Sequence, residues 1–209
     1  MKLFSKEYRI QLNRMIGEIE KVSGVEVVIV VGKKSANYLY IHLISGVLLS
    51  FAFNCYQMFI DIEIADEVIF VSTVLSFVVG YLLMYIPGLS SLLIPKEILR
   101  RNAEIYARAL FQKGKIYETN TRQGILLYVS LFEKTIMMIE DKNVASRIPF
   151  HVIQAQKKEF DSLFQGIWNL KFPEEFLNSL NRFKATAEKY IPVSKNDVNE
   201  IPDDLEIIL

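Results

Sequence analysis

From Lys6 to Val22 the apolar residues Tyr8, Leu12, Met15, Ile16, Ile19 and Val22 recur at helical spacing. Ser5 is placed to cap the first turn and Ser23-Gly24 to end the last, so the pattern predicts an amphipathic helix. Val25 to Val31 then forms a β-branched, nearly continuous apolar run, as in a strand covered on both faces, and Gly32 ends it. The pattern next changes in kind. Leu39 to Ile60 and Val68 to Ile86 are apolar on every side; no Asp, Glu, Lys or Arg interrupts the first, and none occurs from Val68 through Pro95. A helix of about 20 residues rises about 30 Å, the thickness of a hydrocarbon core. A helix of that length in water keeps a polar stripe, and these keep none. The remainder of the chain is too small to wrap two such helices as a soluble core, so they are read as a transmembrane hairpin.

Beyond the hairpin the soluble pattern resumes. Lys96 to Lys113 predicts a second amphipathic helix, closed by Gly114. Gly124 to Phe132 predicts a buried strand, Glu133-Lys134 a tight turn, and Thr135 to Glu140 the returning strand. Ile153, Phe160, Phe164 and Ile167 mark a third helix beginning near Pro149. Phe176, Leu180, Phe183, Ala187 and Tyr190 mark a fourth. Pro173, Glu174 and Glu175 suit its first turn, and Ile191-Pro192 stops it. Residues 1–36 alone would leave a lone strand with unpaired backbone groups. The expected organisation is therefore one domain in two parts, 1–36 and 96–192, interrupted by a hairpin over 37–95 and followed by a polar tail, 193–209. The spans are placed at about 39–60 and 68–86.

Composition agrees: 51% of the 209 residues are hydrophobic and mean hydropathy is +0.23, although 24 basic and 24 acidic residues are present. The net charge of zero gives no reason to expect nucleic acid. Lys33 and Lys34 precede the first span and Lys96, Arg100 and Arg101 follow the second, whereas the loop from Asp61 to Glu67 has no basic residue. Basic flanks stay on the cytoplasmic side, so both termini are expected in the cytoplasm of a multi-pass protein. Tyr38, Tyr40, His42 and Tyr85 suit interfacial positions. Ser45, Ser50, Asn54 and Gln57 either line a face of the first span, toward the second span or another subunit of a homo-oligomer, or are scattered tolerated polar residues. The apolar runs begin too late for a cleaved signal, and the single cysteine, Cys55, lies within the first span.

The order of elements and four strings resemble the TPM domain family, in particular its bacterial membrane-protein branch, in which two spans interrupt the domain. The strings are Glu18 to Val28 (EIEKVSGVEVV), Thr121 to Lys134 (TRQGILLYVSLFEK), Ile139 to Val144 (IEDKNV) and Asn199 to Asp203 (NEIPD). The resemblance covers nearly the whole chain. It implies an α/β/α sandwich around a small mixed sheet, in the bacterial inner membrane. It also implies membership of a family linked to maintenance of membrane complexes or receptor assistance, with phosphatase activity proposed for some members. Where relatives often carry Gly after the acidic residue that ends the hairpin of strands, this chain has Lys142-Asn143-Val144.

Candidate chemistry is sparse. His42 and His151 are the only histidines, and neither has a partner at metal-ligand spacing; no Gly-x-Ser-x-Gly elbow or Walker A loop occurs. Arg122, Glu133, Asp141, Lys142 and Arg147 form the best polar set, with Arg122 and Asp141 expected at the same end of neighbouring strands, where they could pair. Asp141 with Glu140 could alternatively take a hard cation through oxygen ligands, as in some relatives, or the set forms ordinary surface ion pairs that position the loop before the third helix. No catalytic residue, resident metal or cofactor is assigned. The expected function is a non-catalytic binding or accessory module for assembly, maintenance or quality control of a membrane complex, with the lipid bilayer and a membrane protein as partners. The alternative is a metal-assisted phosphatase acting on phosphomonoesters through Glu133, Asp141 and Arg147.

Overall fold

The computed structural model describes residues 5–119, 121–164, 171–193 and 206–208. The chain is mixed α/β. In order it forms α1 (Lys6–Val22), β1 (Glu26–Gly32), α2 (Leu39–Met58), α3 (Asp66–Leu83), α4 (Leu89–Leu92), α5 (Lys96–Lys113), a 3-10 turn (Ile116–Glu118), β2 (Gly124–Ser130), β3 (Thr135–Glu140), α6 (Lys142–Arg147), α7 (Phe150–Ser162), α8 (Phe172–Tyr190) and β4 (Glu206–Ile208). Its contacts divide it into two compact units, one made of residues 1–35 with 100–209 and the other of residues 36–99.

In the discontinuous unit the described strands form one sheet in the order β3-β2-β1-β4. β1 runs parallel to β2, with Glu26 beside Gly124 and Gly32 beside Ser130, while β2 and β3 are antiparallel, with Ile125 opposite Glu140. The period of two along the strands sends alternate residues to opposite faces. Val27, Ile29, Val31, Ile125, Leu127 and Val129 pack with Leu12, Ile16 and Ile19 of α1 and with Phe160, Phe176 and Phe183 of α7 and α8. Val30, Leu126, Tyr128 and Met137 pack on the other face against Ala103, Ala107 and Phe111 of α5. Helices thus cover both faces, which is why these strands read as continuous apolar runs. The tail holds a strand that its sequence does not announce: β4 adds in parallel to β1, with Val31 beside Ile207.

α1 starts where Ser5 Oγ accepts the Tyr8 amide at 3.2 Å and ends where Ser23 Oγ donates to the Ile19 carbonyl at 2.8 Å. β2 is shorter than its apolar run predicts. The Leu131 and Phe132 amides donate to the Gly32 and Lys33 carbonyls, each at 3.0 Å, so these two residues follow β1 while a loop from Leu131 to Lys134 leads back to β3. Of the residues expected in the third helix, Ile167 lies outside those described, as does the string Asn199 to Asp203.

In the other unit α2 and α3 are both long and apolar enough to cross a membrane, judged by length and composition. α3 begins at Asp66, earlier than its apolar run, because Asp66 and Glu67 complement the positive end of the helix dipole. The two helices lie antiparallel against one another. A side chain on Gly80 would meet the Ser45 carbonyl oxygen at 2.7 Å and Gly46 Cα at 2.9 Å, so the backbones touch there. Below that crossing the polar residues of α2 turn toward α3. Ser50 Oγ donates to the Thr73 carbonyl (3.1 Å), Thr73 Oγ1 donates to Asn54 Oδ1 (3.0 Å) and Gln57 Nε2 donates to Ser72 Oγ (2.6 Å). At the opposite end His42 packs against Tyr81 and Tyr85, with ring centroids 5.3 and 4.7 Å away. Of the two readings of α2's polar residues, the face toward α3 is therefore the one formed at Ser50, Asn54 and Gln57.

Two outcomes follow from this packing. Gly80→Leu should force the helix backbones apart and cost the hairpin about 1–3 kcal/mol, measured as an earlier unfolding midpoint in a detergent titration. In the α/β unit, Glu18 of α1 is held below the usual carboxylate range, first by its hydrogen bond to Lys184 Nζ of α8 at 3.1 Å and then by the charges of Lys184 and Arg14. Because the folded-state value is lowered, the contact stabilises the fold above the unfolded carboxyl's pKa, and the contribution is lost as pH falls through the folded value. Lys184→Met should lower the melting temperature at neutral pH, and the difference from the parent should shrink on acidification.

Candidate functional site

The sequence-predicted polar residues fall into two places. Arg122, Asp141 and Lys142 stand together at the end of the sheet where β2 begins and β3 finishes. The Asp141 amide donates to the Gly124 carbonyl at 2.9 Å, and the Asn143 amide to the Arg122 carbonyl at 3.2 Å. Asn143 Nδ2 adds a bond to the Thr121 carbonyl at 2.7 Å, and Arg122 takes a left-handed backbone conformation (φ 48°) to make the bend. Asp141 is buried and caps α6: Oδ1 accepts the Lys142 amide at 2.6 Å, while Oδ2 is buried without a hydrogen-bond partner. Among the described residues Arg122 makes no ion pair with Asp141. Glu140 is engaged elsewhere, by Lys157 Nζ at 2.6 Å. Arg147 sits exposed in the last turn of α6.

Glu133 is at the other end of the sheet, in the loop between β2 and β3. Seven residues of β2 separate the two ends, a distance of about 20 Å at the usual strand rise. The five residues therefore do not converge on one pocket, and no group of three His, Cys, Asp or Glu side chains gathers among the described residues.

Around Glu133 the structure does assemble a buried polar cluster, from residues the sequence reading did not select. Ser130 and Tyr128 are fully buried and Glu133 nearly so. The Ser35 amide donates to Glu133 Oε1 at 2.7 Å, and Ser130 Oγ donates to Glu133 Oε2. Ser35 Oγ donates to Ser130 Oγ at 3.2 Å and lies 3.1 Å from the Tyr128 hydroxyl. Each hydroxyl carries one proton. With the Ser130 proton given to the carboxylate and the Ser35 proton given to Ser130, the Tyr128 hydroxyl must donate to Ser35. The protons thus run in one direction, from Tyr128 through Ser35 and Ser130 to Glu133. Burial raises the Tyr128 hydroxyl above the ordinary tyrosine pKa, which keeps it protonated as donor.

Gly32 makes the arrangement possible. The Tyr128 ring crosses over it so closely that a side chain there would meet the ring carbons at 2.9 and 3.0 Å. The signal in the sequence was the pair Tyr128 and Ser130, two polar residues at strand spacing inside an otherwise apolar run. Chemically the cluster is a clamp: its hydroxyls are satisfied and turned inward, and it fixes Ser35, the residue at which the α/β unit hands the chain to the two-helix unit.

No protein-family profile matches the chain, and no curated protein matches it at a significant level. In structure it is similar to the BA42 protein from the psychrophilic bacterium Bizionia argentinensis sp. nov., solved by NMR, with a TM-score of 0.59 and 14% sequence identity over 98% of this chain and 94% of that one. At that identity the likeness is one of fold.

Ser130→Ala removes a donor from a buried carboxylate and should cost about 1–3 kcal/mol, read from thermal or chemical unfolding of the detergent-solubilised chain. Arg147→Ala, on the exposed turn of α6, should stay within about 0.5 kcal/mol of the parent.

Proposed function

We propose that this protein is a membrane-anchored TPM-like α/β/α domain that acts as a non-catalytic binding or accessory module for assembly, maintenance or quality control of a membrane complex. The observation that carries the proposal is the division of the chain. A discontinuous α/β unit is completed by residues on both sides of a two-helix unit whose long helices are little buried and expose Leu48, Phe51, Phe70 and Val71, among others, to their surroundings. Apolar surface on that scale requires a nonaqueous neighbour. The lipid bilayer satisfies this need for α2 and α3 together, since the hairpin turns Ser50, Asn54, Thr73, Gln57 and Ser72 toward one another.

In this reading the protein spans the bacterial inner membrane twice. Lys33, Lys34, Lys96, Arg100 and Arg101 keep both termini cytoplasmic, and the acidic loop Asp61 to Glu67 lies on the far side. The tether restricts the α/β domain to a thin layer beside the bilayer and so raises its effective concentration for a membrane protein partner.

The experiment has two arms. Alkaline carbonate extraction should leave the full chain in the membrane pellet, and its release into the supernatant would contradict the anchoring. Replacing residues 36–95 by a short Gly/Ser linker should reduce recovery of membrane protein partners in cross-linked pull-downs by about tenfold or more, as expected on loss of effective concentration. Equal recovery would reject tethering.

A further inference from the structure

The apolar surface of the two-helix unit continues past the end of α3. That helix stops at Leu83, yet no charged residue appears until Lys96. The sixteen residues from Val68 to Leu83, beyond the acidic loop, rise about 24 Å at about 1.5 Å each and account for most of a hydrocarbon core, so the chain from Tyr85 to Leu93 is left at its edge. It also does not continue the helix. Pro87 interrupts the helical pattern, and Gly88, in the left-handed region at φ 87°, redirects the chain into the short α4.

The segment is nevertheless built like a surface that meets lipid. Met84 and Ile94, at its two ends, are buried, and so is Ser90 between them. Ile86, Leu92 and Leu93 point outward, with Leu92 79% exposed. Several of its polar groups bond locally. Ser91 Oγ donates to the Gly88 carbonyl at 2.9 Å, and the amides of Tyr85, Ile86, Leu89, Leu92 and Leu93 donate to carbonyls within the segment or the end of α3 at 3.0–3.3 Å. Local bonds of this kind lower the cost of bringing backbone to the edge of a bilayer. Tyr85 at one end and Lys96 just beyond the other supply an amphipathic ring and a cation suited to headgroups.

We propose that residues 85–93 form a second membrane contact, lying in the plane of the bilayer at the boundary between headgroups and acyl chains, with Ile86, Leu92 and Leu93 inserted. The proposal rests on the membrane reading of α2 and α3 and adds to it. The chain then has a point of attachment that does not cross the bilayer, placed directly before α5. Lys96 and Arg101, both exposed, follow it immediately and match an anionic lipid surface.

The test places single tryptophans in the full chain after Trp168→Phe removes the natural one. Leu92→Trp probes the segment and Phe51→Trp probes the interior of α2. Each variant is reconstituted in vesicles of phosphatidylcholine and phosphatidylglycerol whose acyl chains are brominated either near the carbonyl or near the methyl end. The proposal expects Leu92→Trp to be quenched at least twofold by shallow bromines and little by deep ones, with the reverse order for Phe51→Trp. Quenching of Phe51→Trp alone would overturn the second contact while leaving the spans intact. A blue-shifted but unquenched Leu92→Trp would place protein, a second copy or the α/β unit, over the segment and also overturn it. If neither tryptophan is quenched, the membrane reading fails and this inference with it.

Discussion

The parallel pairing of β1 with β2 is the constraint on which the rest of the structure depends. Parallel neighbours cannot be joined by a tight turn; the chain must return from the end of one strand to the start of the next by a crossover. α5 supplies that crossover and covers one face of the sheet with Ala103, Ala107 and Phe111. The two-helix unit is spliced into the same connection, between β1 and the body of α5, and contributes no strand. A crossover tolerates such an insertion because only its ends are fixed by the ladder.

The ends of the sheet differ in character. Where β1 and β2 finish, Tyr128, Ser35, Ser130 and Glu133 hold one another in an inward-facing chain of hydrogen bonds, and the carboxylate accepts from the Ser35 amide and the Ser130 hydroxyl. Where β2 begins and β3 finishes, Asp141 is spent on capping α6 and keeps a buried oxygen without a partner. The first end is a structural tie beside the splice point. The second carries cationic side chains, Arg122 and Lys142, on its exposed rim.

Much of the fold was legible in the sequence. α1 and α5 have the predicted limits, because helical spacing is bounded in α1 by a side-chain cap and a Ser-Gly stop and in α5 by a following glycine. β3 is also as expected, and the apolar runs give both long helices to within a few residues. What could not be read depends on distant neighbours. β2 stops at Ser130 rather than Phe132 because Leu131 and Phe132 donate to β1, and β4 is a short strand whose place is set by β1 rather than by its own composition. α6 hides among polar residues and owes its start to Asp141. The candidate site suffered from the same limit. Proximity along the chain grouped Glu133 with Asp141, whereas an antiparallel pair puts a turn and the far ends of its strands a full strand length apart. The Ser35 contact with Glu133 joins residues on opposite sides of the splice, and no local pattern contains it.

The position of β1 has a consequence for how the molecule is made. β1 precedes the two apolar helices in the chain, and its neighbours on both sides, β2 and β4, come after them. The contacts of α2 with α3 are close in sequence and can form as soon as both have been translated. The sheet, by contrast, depends on long-range pairing, which is slow to nucleate. β1 therefore waits, edge-on and unpaired, until ribosomal elongation delivers Gly124 and beyond. A nascent chain stalled before that point would carry a finished helical hairpin next to a bare strand, the kind of exposed edge that chaperones and proteases recognise.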